Sequence, residues 1–236
     1  MINVYIIVEG QSEEKFVKEI LSPYFASKNI FLYPEKVITG RDKRGKACKG
    51  GGDSYELYKN HIQKRIKQFE KQKNYYFTTM IDLYALPKDF PKLQEAQQYY
   101  NDKYQYISFL EEAFYDDIGF DNFFPYIQLH EYETLLFCNI DAIVYEFFDL
   151  EDDKLYDKIV KDIRDYDNIE LINDSKETAP SKRLDKYTNG NYCGRKTTSS
   201  INILKHIDIE VLRSKCQNFN RWLKDIEGKL NKYLNV

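Results

Sequence analysis

The sequence has no CxxC pair. Its four cysteines, Cys48, Cys138, Cys193 and Cys216, lie far apart, so the spacing supports no structural zinc site. No apolar stretch reaches ~18 residues, the length that marks a membrane span, and the chain opens on a strand pattern rather than a signal peptide. The expectation is a cytoplasmic protein with reduced thiols. Internal repeats, low-complexity tracts and an obvious linker are also missing. So is an excess of positive charge: a formal net charge of −3 argues against a protein that coats nucleic acid non-specifically.

The charge that is present is segregated. Residues 41–73 hold eleven Lys/Arg and four Asp/Glu, a net of +7, while residues 141–177 hold five basic and thirteen acidic residues, a net of −8. Residues 178–205 return to +5, from six basic and one acidic residue. Two basic regions around an acidic block can form one positive face after folding. Twenty-one tyrosines and fifteen phenylalanines build core, or stack on bases and partners.

Near-continuous apolar runs mark strands buried on both faces of a parallel sheet. Residues 2–8 are one such run, and it ends on Glu9 and Gly10. Ser12 is placed to cap a helix carrying Phe16, Val17, Ile20 and Leu21, with Glu13 and Glu14 in its first turn. A second strand is expected near 35–39, followed by the glycine-rich loop GRDKRGKACKGGGD. Asp53 or Ser54 then starts a helix with Tyr55, Tyr58, Ile62, Ile66 and Phe69 at helical spacing. YYFTTMI (75–81) is a strand ending on Asp82, and a long helix from Leu93 to Ile118 follows it. FFPYIQL (123–129) reads as an edge strand, or one beginning at Pro125, and runs into HEYE (130–133). This order predicts an α/β fold, a Rossmann-like, mostly parallel sheet flanked by helices, over residues 1–138. Residues 139–236 read as a mainly helical extension, with helices at 141–148, 154–165 and 208–233 and a long loop at 173–200.

Three strand ends deliver acids: Glu9, Asp82, and Glu131 with Glu133. Parallel neighbours would bring them to one edge of the sheet, where clustered carboxylates repel unless a cation offsets them. Hard oxygen ligands suit Mg²⁺ or Mn²⁺ and phosphate-ester chemistry; the alternative is that these acids cap the following helices. His130 beside them could ligate metal, act as acid or base, or hold a carboxylate. Gly40 to Lys46 fits GxxxxGK, but Ala47 stands where a P-loop has Ser or Thr, and no helix starts there. What remains is a cationic loop with Arg41, Lys43, Arg44, Lys46 and Lys49, which either clasps a phosphate backbone or is solvated. In TAPSKRL (178–184), Lys182 and Arg183 either meet a phosphate or follow Ser181 as solvated charges of a short capped helix.

Taken together, VEGQSEEKF, the glycine loop, MIDLYALPKDFP, YIQLHEYETLLF, INDSKETAPSKRL and KCQNFNRWL resemble the bacterial family called domain of unknown function 4276, over nearly the whole chain. The N-terminal half is similar to the Toprim domain of topoisomerases, primases and overcoming-lysogenization-defect nucleases. That resemblance implies a Toprim-like fold binding Mg²⁺ through a glutamate after the first strand and an Asp-x-Asp after the third. Glu9 matches the glutamate and Asp82 the first aspartate; Tyr84 stands in place of the second, a position Glu131 or Glu133 would have to supply. For the late lysine that assists at the phosphate in such nucleases, Lys182 is the candidate. The resemblance further implies a nuclease acting on DNA or RNA, beside a partner ATPase of the ABC or structural-maintenance type, in phage defence or DNA repair. The departure at Tyr84 keeps a second reading open, a non-catalytic module that regulates or docks on the ATPase.

Overall fold

The computed structural model describes residues 1–41, 47–49, 54–150, 154–166, 168–173 and 175–234. The chain forms two compact units, one of Met1–Ile127 with the segment from Trp222 onward, the other of Gln128–Arg221.

The first unit is built on a parallel sheet. β1 (Ile2–Val8) lies between β2 (Ile30–Lys36) and β5 (Tyr75–Asp82), pairing Val4 with Leu32 on one side and with Tyr76 on the other. A central strand between two parallel neighbours has no solvated face, which accounts for the burial of every β1 residue except Tyr5. Tyr5 stacks on Tyr33 and Phe77, its partners across the strands, and on Phe69, with ring centroids 5.2, 5.8 and 5.1 Å away. Part of the tyrosine excess is therefore a cross-strand aromatic ladder.

Between β1 and β2 the chain passes through α1 (Gln11–Phe16), a π-helical turn (Val17–Leu21) and α2 (Ser22–Ala26). Pro23 sits in the first turn of α2, and the wider turn before it accommodates a residue that has no N–H to give. The cap expected at Ser12 is at Gly10 instead; Ser12 is buried inside the first turn. β2 begins well before the expected strand and is followed by a hairpin of β3 (Ile38–Arg41) and β4 (Ala47–Lys49). Of the segment expected to be loop, residues 40, 41 and 47–49 lie in these strands, and the rest lie outside the described residues.

α3 (Tyr55–Phe69) starts as expected, with Ser54 accepting from the backbone N–H of Glu56. After β5 the expected long helix is broken. A 3-10 segment (Glu95–Tyr99) precedes α4 (Lys103–Ile118), because Asp102 accepts from the N–H groups of Tyr104 and Gln105 and so starts a new helix. Gly119, at φ 66°, ends α4 in the left-handed conformation that favours glycine. β6 (Ile127–Gln128) completes the order β2-β1-β5-β6, at the sheet edge where Pro125 places it. It is shorter than the strand expected there.

The connections β1–β2 and β2–β5 run in opposite directions across the sheet, so right-handed crossovers put their helices on opposite faces. α3 and α4 share one face, where the Tyr55 and Phe114 rings meet edge to face at 5.6 Å. The fold class expected from sequence, an α/β parallel sheet flanked by helices and followed by C-terminal helices, is the one observed.

The second unit is helical. A 3-10 segment (Tyr132–Cys138) leads into α5 (Ile140–Glu146), and α6 (Leu155–Ile163) follows. The segment 173–200, expected as loop, instead contains α7 (Pro180–Tyr187) and most of α8 (Asn191–Lys205), the latter kinked at Arg195. α9 (Ile209–Lys215) and α10 (Gln217–Leu234) replace the single helix expected at 208–233, interrupted at Cys216. Residues of α10 from Trp222 on belong to the first unit. Among the described residues no helix is long and apolar enough to cross a membrane.

Candidate functional site

In an open parallel sheet, ligands bind beyond the carboxyl ends of the strands where the winding reverses. Here the chain winds from β1 outward to β2 and then back past β1 to β5, so the reversal lies between β1 and β5. Glu9 is the residue after β1 and Asp82 the last of β5. With Val8 paired to Met80, Glu9 and Asp82 leave adjacent strands one residue out of register, on backbones about 4.8 Å apart. Glu9 is half-buried and Asp82 buried.

Another acid, which the sequence reading treated only as a first-turn charge, lies beside Gly10. Glu13, on α1, is buried, and a side chain at Gly10 would put its Cβ 2.8 Å from Glu13 Oε2. Gly10 has an extended backbone, so its role is to leave space for that carboxylate. The i, i+4 spacing of Glu9 and Glu13 across a glycine was the available signal. Glu14 turns elsewhere, to Lys18 and Lys36; burial works to raise its pKa, but the two lysines hold it below the ordinary glutamate value. Tyr84, at the position of the missing aspartate, is half-buried in a 3-10 turn, Leu83–Ala85.

Glu131 and Glu133 belong to the second unit, where each has partners of its own. Glu131 Oε2 accepts from the backbone N–H of Ser181 at 2.9 Å, in the first turn of α7, where a carboxylate also meets the helix dipole. Glu133 is fully buried; Lys196 lies 2.7 Å from its Oε1 and the Tyr192 hydroxyl donates to it at 2.9 Å. Burial raises the Glu133 carboxyl, Lys196 opposes this, and the neighbouring charge of Glu131 adds to it. Burial beside the same glutamate also pushes the Tyr192 phenol well up. Tyr192 and Lys196, one turn apart on α8, are partners of Glu133 that sequence reading missed. His130 is fully buried and holds a left-handed backbone at φ 61°, a strained conformation that this setting maintains.

Of the expected phosphate-binding cations, Lys182 is exposed on α7. Arg183 is not solvated: it pairs with Asp162, donates to the Thr178 carbonyl at 2.8 Å and to the Tyr166 hydroxyl at 3.2 Å. Lys43, Arg44 and Lys46 lie outside the described residues, and Arg41 and Lys49 are placed by their backbones in β3 and β4. Among the described residues no three His, Cys, Asp or Glu side chains form a metal cage by themselves. Mg²⁺ does not require one, since it retains waters and binds through one or two carboxylates together with substrate phosphate. The all-oxygen pair Glu9 and Asp82 fits that pattern.

The first unit is thus that of an open α/β protein with acids at its winding reversal. The family model described as Domain of unknown function (DUF4276) matches residues 8–227, and the chain belongs to that family. No curated protein and no solved structure matches the chain.

Proposed function

We propose that the first unit hydrolyses phosphodiesters as a Toprim-like nuclease dependent on Mg²⁺ or Mn²⁺, acting on DNA or RNA. The observation that carries this reading is the placement of Glu9 and Asp82 at the carboxyl ends of adjacent parallel strands where the winding reverses. Glu9 and Asp82 would hold the ion, with Glu13 beside them. A divalent cation there would supply a nucleophilic water at neutral pH and offset charge on the leaving oxygen. The chain's own part is to fix these carboxylates on rigid strand ends and to leave room for them at Gly10. Lys182, exposed on α7, belongs to the second unit and is given no part at these acids. Glu131 and Glu133, bound to Ser181, Tyr192 and Lys196, are not needed for the ion in this reading. The resemblance to overcoming-lysogenization-defect nucleases supports a setting in phage defence or DNA repair, with an ATPase of the ABC or structural-maintenance type as partner.

The test is Mn²⁺ titration into wild-type and E9A/D82A protein, beside plasmid and RNA cleavage assays. Binding and cleavage in the wild type, both lost in the variant with its melting temperature kept, are expected. Cleavage by the double variant would sink the assignment. The tyrosine at position 84 and the exposed aromatic rings of Tyr145 and Phe148 favour a second reading, a docking module for the ATPase. Co-purification with the ATPase, without metal-dependent cleavage by either protein, would select it.

A further inference from the structure

At the other end of β5, away from Asp82, the first unit has a cleft of about 510 Å³ lined by Lys73, Tyr76, Asn122, Lys232, Tyr233 and Leu234. Its size is that of small-molecule sites, roughly 300–1,000 Å³. The lining chemistry is specific. Two ammonium groups come from separate elements, Lys73 from the turn before β5 and Lys232 from the last turn of α10. Among the described residues neither has an acidic partner, and no acid lines the cleft. Two cations lining one cleft with no acid among its described lining suit an anion.

The remaining groups call for something flat beside that anion. Tyr76 is buried and Tyr233 half-buried, two phenol rings in one cleft. Asn122 uses its amide nitrogen on the Tyr75 carbonyl at 3.1 Å, which fixes the amide plane and leaves its oxygen to accept from a ligand. Aromatic rings stack on bases without regard to sequence, and lysines hold phosphate.

We propose that this cleft binds a nucleotide unit, a phosphate with its attached base. Lys73 and Lys232 hold the phosphate, Tyr233 stacks on the base, and Asn122 accepts from a base N–H. The site is separate from the strand-end acids: Tyr76 and Asp82 are six residues apart on one strand, about 20 Å. The inference therefore does not rest on the metal-dependent reading. The nucleotide comes either free or as the terminal residue of a strand.

Isothermal titration of the full chain, without metal, with adenosine monophosphate, inorganic phosphate and a short 5′-phosphorylated oligonucleotide tests this. Adenosine monophosphate or the oligonucleotide is expected to bind more tightly than phosphate. K73E/K232E should weaken that binding by about tenfold or more, the loss expected when a charged hydrogen bond is removed. Y233A should weaken adenosine monophosphate and leave phosphate unchanged. Tighter binding of the oligonucleotide assigns the cleft to a strand end; equal or tighter binding of the mononucleotide assigns it to a free nucleotide. Both charge-reversed lysines are exposed, so the variant should keep the wild-type melting temperature and Mn²⁺ binding. No binding by either nucleotide probe, phosphate binding as tightly as they do, or wild-type affinity in K73E/K232E would overturn the proposal.

Discussion

The indole N–H of Trp222 donates to the Thr78 hydroxyl at 2.9 Å, joining α10 to the middle of β5 across 144 residues of sequence. Thr78 in turn donates to the Phe124 carbonyl, and the indole lies flat on Tyr126 at 4.5 Å with 8° between planes. A chain that leaves this unit at Ile127 and returns at Trp222 is thus held by a buried hydrogen bond as well as by packing. Thr78→Val keeps the shape and removes the acceptor, leaving the indole N–H buried without its bond. A loss of about 1–3 kcal/mol is expected, read by urea denaturation followed through Trp222, the single tryptophan of the chain. Stability equal to wild type would show that the bond contributes nothing beyond packing.

Glu170 gives the second prediction. It is fully buried, and its two carboxylate oxygens accept from the backbone N–H groups of Asn218 and Phe219 at 2.7 and 2.9 Å. Those groups open α10, where a helix has N–H donors to satisfy and favours negative charge. Glu170→Gln turns one acceptor into a donor facing a donor, and should cost about 2 kcal/mol or more. Glu170→Asp, too short to reach both groups, should fall between it and wild type. The order of the three melting temperatures is the check.

Glu35 carries a pH dependence. On β2 it takes a two-pronged contact from Arg65 of α3, at 2.7 and 2.9 Å, with His61 Nε2 3.4 Å away. Burial acts to raise its carboxyl, but the hydrogen bonds and charges of His61 and Arg65 outweigh it, so its pKa lies below the ordinary 4.5. A carboxylate with a lowered folded-state pKa adds stability that is complete above its unfolded value and is lost as pH falls through the folded value. The stability gap between wild type and Glu35→Gln should therefore be constant near neutral pH and close in acid below the ordinary carboxylate range. Urea melts across that range measure it; a gap that persists in strong acid would mean Glu35 acts by packing alone.

These three residues show what could be read in advance. Strands β1 and β5, the start of α3 at Ser54 and the terminal acids Glu9 and Asp82 were legible, because buried parallel strands leave continuous apolar runs with abrupt polar ends. α7 and α8 were not. Their segment is rich in Thr, Ser, Asn and Gly, which favour turns by local propensity, and buried Leu184, Tyr192, Ile201 and Leu204 hold it helical through packing. Glu170 and Glu133 were lost for another reason. Glu170 had no special standing in sequence and Glu133 stood there as a candidate metal ligand, whereas Glu170 is met by groups 48 and 49 residues away and Glu133 by one 59 residues away, distances no local pattern encodes.

The acids at the strand ends are best probed where the sequence allows the smallest change. Gly10→Ala adds one methyl group, and that carbon would stand 2.8 Å from Glu13 Oε2. The extended backbone at Gly10, φ −135°, accepts alanine without strain. What must give is therefore the end of the Glu13 side chain, pushed away from residue 10. If Glu13 supports the ion held by Glu9 and Asp82, Mn²⁺ affinity should fall by roughly tenfold, as when a metal site loses a supporting group, while thermal stability stays near wild type. E13Q should produce the same loss by removing the charge and leaving the space. If G10A and E13Q both bind Mn²⁺ as wild type does, Glu13 has no part in the site and the ion depends on Glu9 and Asp82 alone. If E13Q alone is impaired, the carboxylate matters but has room to move, and Gly10 is not the residue that holds it in place.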